Sequence, residues 1–175
     1  MSETKQNKLI IKRLLSNNTD EVLFTINELR NTGNKNLIPY LIDLLATHKS
    51  IKVKESIINL FYDLKYQSAA EEIIKAIKSD KYAHIREELL AVCWQSSLDF
   101  SNYIDVFTEN FITGNFKEAF EAFTAIESIE KKLDAGLTEQ SISALKDEIN
   151  NIEESKKELL IELVHILEGK ERFED

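Results

Sequence analysis

The chain has 175 residues, 43% hydrophobic and 30% charged, with a formal net charge of −9, which suits a folded domain and excludes a disordered one. That acidity argues against nucleic-acid backbones and anionic lipid as general partners, because both are held by Lys and Arg. One proline, four glycines and one cysteine leave little turn chemistry for β-structure and no partner for an internal disulfide, so an all-α protein of a reducing compartment is expected.

The first residues lack the apolar core of a signal peptide, since Leu9-Ile-Ile11 is broken by Lys12 and Arg13. No stretch reaches the roughly 18 apolar residues of a membrane span, so a cytoplasmic location is expected. Leu9, Ile10, Leu14 and Leu15 have helical spacing, and Asn17–Asp20 forms a turn. Thr19 or Asp20 caps a second helix with the apolar face Val22, Ile26 and Leu29, and Gly33 ends it. Pro39 falls in the first turn of a third helix, where its missing N–H does no harm.

From Asn36 to Cys93 the chain runs through a helical pair twice. Leu41 maps on Ile73, Leu45 on Ile77, Val53 on Ile85 and Ile57 on Leu89, each step being 32 residues. A fixed period of this size marks stacked helical units. Ser68-Ala-Ala-Glu71 has capping-box spacing and opens a fifth helix, and Asp99 or Ser101 opens a seventh with Ile104, Phe107 and Phe111. Asn115-Phe-Lys-Glu118 caps an eighth, whose face is Phe116, Phe120 and Phe123. Second helices then start at Val22, Val53, Ile85 and Phe116.

After Ile129 the pattern loosens. Thr138 caps a helix with Ile142, Leu145 and Ile149, and Ser155-Lys-Lys-Glu158 opens another with Leu159, Leu160, Leu163, Val164, Ile166 and Leu167. A closing helical pair is favoured over one long helix, in which Lys156 would break a heptad-like seam. Residues from Glu168 onward are expected to fray.

The run from Asp20 through Leu29-Arg-Asn-Thr-Gly to Ile38-Pro-Tyr-Leu, with the hydrophobic-basic pairs Val53-Lys54, Ile85-Arg86 and Phe116-Lys117, resembles the HEAT-repeat pattern of the short-period bacterial type; Val22-Leu23 departs from it. The resemblance covers about residues 6–128. It implies a right-handed α-solenoid of about five antiparallel helical pairs, a single HEAT-like domain over 1–175 with a divergent C-terminal cap near 137–168. It also implies a protein-binding scaffold. Such a motif specifies fold well and function poorly.

On a helical wheel of about 100° per residue, Tyr62, Ile58 and Glu55 lie opposite the stripe Val53, Ile57, Leu60, Phe61. Trp94, Leu90 and Glu87 lie opposite Ile85, Leu89, Val92, Cys93. The corresponding positions are Phe24, Asn27 and Asn31 in the first unit and Glu118, Glu121 and Ala125 in the fourth. These positions form a candidate ridge: Tyr62 and Trp94 as anchors flanked by Ile58 and Leu90, with Glu55, Glu87 and Glu118 selecting a basic partner. Ordinary packing between neighbouring units would produce the same wide apolar arc.

His48 and His84 fall in turns and read as solvated, His165 as a surface or capping residue, and Cys93 as a buried small hydrophobe. No residue has the spacing of a metal ligand set, a phosphate loop or a nucleophile, so neither cofactor nor catalysis is expected. Two other readings come from the resemblance. An accessory or chaperone-like subunit of a bilin-lyase-type prosthetic-group system would carry a ligand. A HEAT-like DNA glycosylase would need its phosphates held by the row Lys54, Arg86 and Lys117.

Overall fold

A computed structural model describes residues 3–30 and 34–171, and every regular element among them is helical. Asn31 and Gly33 lie outside the described residues, as do residues 172–175 of the expected frayed end; residues 168–171 are helical. The chain divides into two compact units, Met1–Leu98 and Asp99–Asp175.

The first unit contains α1 (Glu3–Leu14), α2 (Thr19–Leu29), α3 (Ile38–Thr47), α4 (Ile51–Tyr62), α5 (Ser68–Ile77) and α6 (Arg86–Gln95). Consecutive helices contact in pairs, α1 with α2, α3 with α4, α5 with α6; between pairs, α3 meets α5 while α4 meets both α2 and α6. The interior is the stripe read from the 32-residue period. Leu41, Leu45, Val53, Ile57, Ile73, Ile77, Ile85 and Leu89 are all buried, as are Val22 and Ile26. Removing such side chains from water supplies about 1.5–3 kcal/mol each, and the matching spacing lets one stripe face the next.

The second unit contains α7 (Ile104–Thr113), α8 (Phe116–Glu127), α9 (Ala135–Glu148) and α10 (Glu154–Glu171). Here α7 meets α8 and α9, while α10 meets α8 and α9. The last two helices are therefore a pair; Asn151 and Ile152 donate back to Glu148 O at 2.9 Å and close the turn between them. The core uses Phe100, Phe107, Phe111 and Phe123 against small residues, Ala119, Ala122 and Ala125. Phe100 meets Phe107 edge-on with ring centroids 6.3 Å apart.

The eighth helix is rotated from its expected face. Phe116 and Phe120 are 45% and 46% exposed, and the buried stripe is Ala119, Ala122, Phe123 and Ile126. The residue matching Val22, Val53 and Ile85 in burial is thus Ala119, 34 residues after Ile85. Small residues turned inward let α8 approach its neighbours closely, which a Phe116 face would prevent.

Several expected caps are also displaced. Asn18 caps α2, accepting from Asp20 N at 3.0 Å and Glu21 N at 3.3 Å, so Thr19 and Asp20 already lie in its first turn. Ser68 caps nothing; Ala69 N and Ala70 N reach Tyr66 O and Gln67 O at 3.0 Å, and the preceding backbone turn satisfies the donors a cap would take. Asp99 accepts from Ser101 N and opens a short 3-10 turn, which delays α7 to Ile104. Asp134, not Thr138, caps α9 through Leu137 N at 2.9 Å, and the Thr138 hydroxyl instead donates to Asp134 O. Ser155 lies inside α10. Pro39 in the first turn of α3 and the Asn115–Glu118 box are as expected.

Candidate functional site

The candidate ridge belongs to the first unit, on two second helices that touch, α4 and α6. On α4, Glu55 is exposed while Ile58 and Tyr62 are half-buried. On α6, Glu87 is half-buried and Trp94 is 37% exposed. Both aromatic residues sit in the last turn of their helix. On α2, Phe24 is exposed, with the Arg13 guanidinium 5.6 Å from its ring centroid.

Two ridge residues are corrected. Leu90 is fully buried: Leu89, Leu90, Ala91, Val92 and Cys93 form five consecutive buried positions, so α6 is enclosed around its middle. A helical wheel assumes one solvated side, and this helix has none there. Glu118 is also buried, and its carboxylate accepts from Asn115 N at 2.9 Å. It closes a reciprocal capping box with Asn115 Oδ1, which accepts from Glu118 N at 3.2 Å. The capping spacing and the wheel made competing claims on this residue, and the shorter-range bond prevails.

The basic row is interrupted as well. Arg86 donates from Nε to Ile77 O at 3.0 Å, at the C-terminal end of α5. A cation there satisfies an orphan carbonyl and opposes the negative end of the helix dipole. His84 is exposed, as expected of a solvated turn residue, and its Nε2 lies 3.1 Å from Ala46 O in the last turn of α3. His48 Nδ1 accepts from Ser50 N at 3.0 Å, so it too is tied to the backbone. His165 is exposed. Cys93 is buried, and that burial pushes its thiol well up from the ordinary value, as suits a small hydrophobe.

The most unusual polar groups were missed in the sequence. Lys156 is only 2% exposed, and its Nζ donates to Phe111 O at 3.2 Å and to Ile112 O and Gly114 O at 2.9 Å. One ammonium thus satisfies three carbonyls at the end of α7. Lys170 serves α8 in the same way, reaching Glu127 O at 3.2 Å and Ile129 O; desolvation lowers its pKa. The available signal was a lysine heading the stripe Lys156, Leu160, Leu163, Leu167, all of them buried.

On the surface of the first unit, Asp43 accepts from Lys81 Nζ at 2.5 Å and Tyr82 OH at 2.8 Å, and the Lys81 bond chiefly holds its carboxyl below the ordinary value. Among the described residues, no three His, Cys, Asp or Glu side chains are grouped to hold a metal ion, and no helix is long and apolar enough to cross a membrane. No protein-family model and no curated protein matches the chain.

Proposed function

We propose that the chain is a HEAT-like α-solenoid, right-handed and of about five helical pairs, working as a non-enzymatic cytoplasmic scaffold. It takes a protein partner on the second helices of its pairs. The observation that carries this reading is the placement of Tyr62 and Trp94. They lie 32 residues apart, at the same turn of two touching helices, and both keep access to solvent. The contacts of α4 with both α2 and α6, and of α3 with α5, are those a stacked series makes. Glu55 and Glu87, each about two helical turns before its ring on the same helix, favour a partner with Lys or Arg at the rim. Duplex binding is disfavoured because Arg86, the middle cation of the row it would need, is engaged with Ile77 O.

Affinity capture from the native cell with wild type and a Tyr62→Ala/Trp94→Ala double variant tests the reading. A partner retained by wild type and lost by the variant, with helical circular dichroism unchanged, is the expected result. Loss of helical content would make the two rings packing residues, and capture of the same partner by the variant would move the site elsewhere.

A further inference from the structure

The second unit carries a groove of about 330 Å³ between α7 and α9. From α7 it is lined by Asp105, Thr108, Glu109, Ile112 and Thr113, which recur at the spacing of one helical face. From α9 come Gln140, Ser141 and Ala144. The depression exists because the residues meeting at its base are small: Thr108 and Ser141 are buried, and neither they nor Ala144 can fill the space between the two axes. Its length follows from Asp105 to Thr113, about 12 Å along the helix at 1.5 Å per residue, or roughly two turns of a second helix laid beside it.

Two features of the groove are unsatisfied within the chain. Asp105 and Glu109 are exposed, one turn apart, and neither has an ion-pair partner among the described residues. Like charges at this spacing repel, so the arrangement favours an added cation. The second is Thr108, 4% exposed, whose hydroxyl has no hydrogen-bond partner among the described residues. Five other helical threonines, Thr25, Thr47, Thr113, Thr124 and Thr138, donate to the carbonyl four residues back. Thr108 stands apart from all of them, and a buried hydroxyl left unpaired is unfavourable.

We propose that this groove docks an amphipathic helix of a partner protein, with an apolar side chain in the space over Ile112 and Ala144 and a Lys or Arg between Asp105 and Glu109. The choice of occupant rests on charge complementarity and on the length of the groove. An apolar surface flanked by unpaired carboxylates suits a basic helix; an acidic one would be repelled.

The test uses the full chain and a 16-residue helical peptide of Leu and Lys with its apolar residues on one face, followed by calorimetry and amide chemical shifts. The expected shifts fall on residues 105–113 and 140–144. Asp105→Asn/Glu109→Gln should weaken binding at least tenfold, and Ala144→Leu, which fills the groove, by a similar factor. Glu158→Gln/Glu162→Gln, the same charge change on exposed positions of α10, should move affinity less than twofold. Equal weakening by this distal pair, or shifts elsewhere, overturns the proposal. So does spermine binding as tightly as the peptide and indifferent to Ala144→Leu, which would make the feature a bare cation site.

Discussion

The two units reach helical pairs by different chemistry. The first buries aliphatic stripes at a near-constant period and leaves its helix ends to surface or half-buried groups such as His84 and Arg86. The second buries four phenylalanines against alanines, and it holds the end of α7 with a fully enclosed lysine. A regular array needs only stripes that face one another. Once large aromatic rings and small residues replace the stripe, helices approach unevenly, and the chain must supply donors to carbonyls that water no longer reaches.

The strongest test of that contrast is Lys156→Met. It leaves three carbonyls at the end of α7 without their donor, and a loss of about 3 kcal/mol is expected in urea denaturation. Arg86→Met removes the bond to Ile77 O and the ion pair with the exposed Asp80 from a half-buried cation, and should cost about 1 kcal/mol. Equal losses would erase the distinction between the units.

The glycines give a second comparison. A Cβ at Gly114 would sit 2.5 Å from Asn110 O and 2.8 Å from Glu118 Cβ, both fixed by α7 and the capping box, so Gly114→Ala should cost about 2 kcal/mol. Gly169 has open space around it inside α10, and Gly169→Ala should stabilise by up to about 1 kcal/mol. Thermal melts of the two variants should shift in opposite directions.

Thr108→Val replaces an unpaired buried hydroxyl by a methyl of similar shape. It should raise stability by about 1 kcal/mol, readable as a higher urea midpoint at constant slope. The smallest effect concerns Asp99, whose carboxyl is lowered from 3.8 to about 2, first by Lys131 Nζ at 2.7 Å and then by Ser101 N. Because the folded value lies below the unfolded one, this group adds stability above about pH 4 and loses it as pH falls towards 2. Asp99→Asn should flatten that acid limb slightly, seen by comparing urea midpoints at pH 5 and pH 2.5.

Legibility in the sequence followed the range of the interaction that decided each feature. Leu41, Leu45, Ile73 and Ile77 were readable as core, and so was the Asn115–Glu118 box, because spacings of three and four residues carry them. Leu90 was misplaced because its burial depends on what surrounds α6 and not on its own helix. Tyr62 and Trp94 stand out in the sequence because they share a repeat position 32 residues apart, and the structure places each in the last turn of its helix.

The sequence alone determined that the described chain is helical, and its 32-residue period picked out Leu41, Leu45, Val53, Ile57, Ile73, Ile77, Ile85 and Leu89 as residues that turn inward. Hydrophobic periodicity and caps act within a few residues, and one copy reads like the next. Tertiary structure alone decided the rotation of α8, the enclosure of α6, and the pairing of Lys156 with carbonyls more than 40 residues earlier. Such contacts join segments with no local preference for each other. They form because burial has already removed water from the groups concerned.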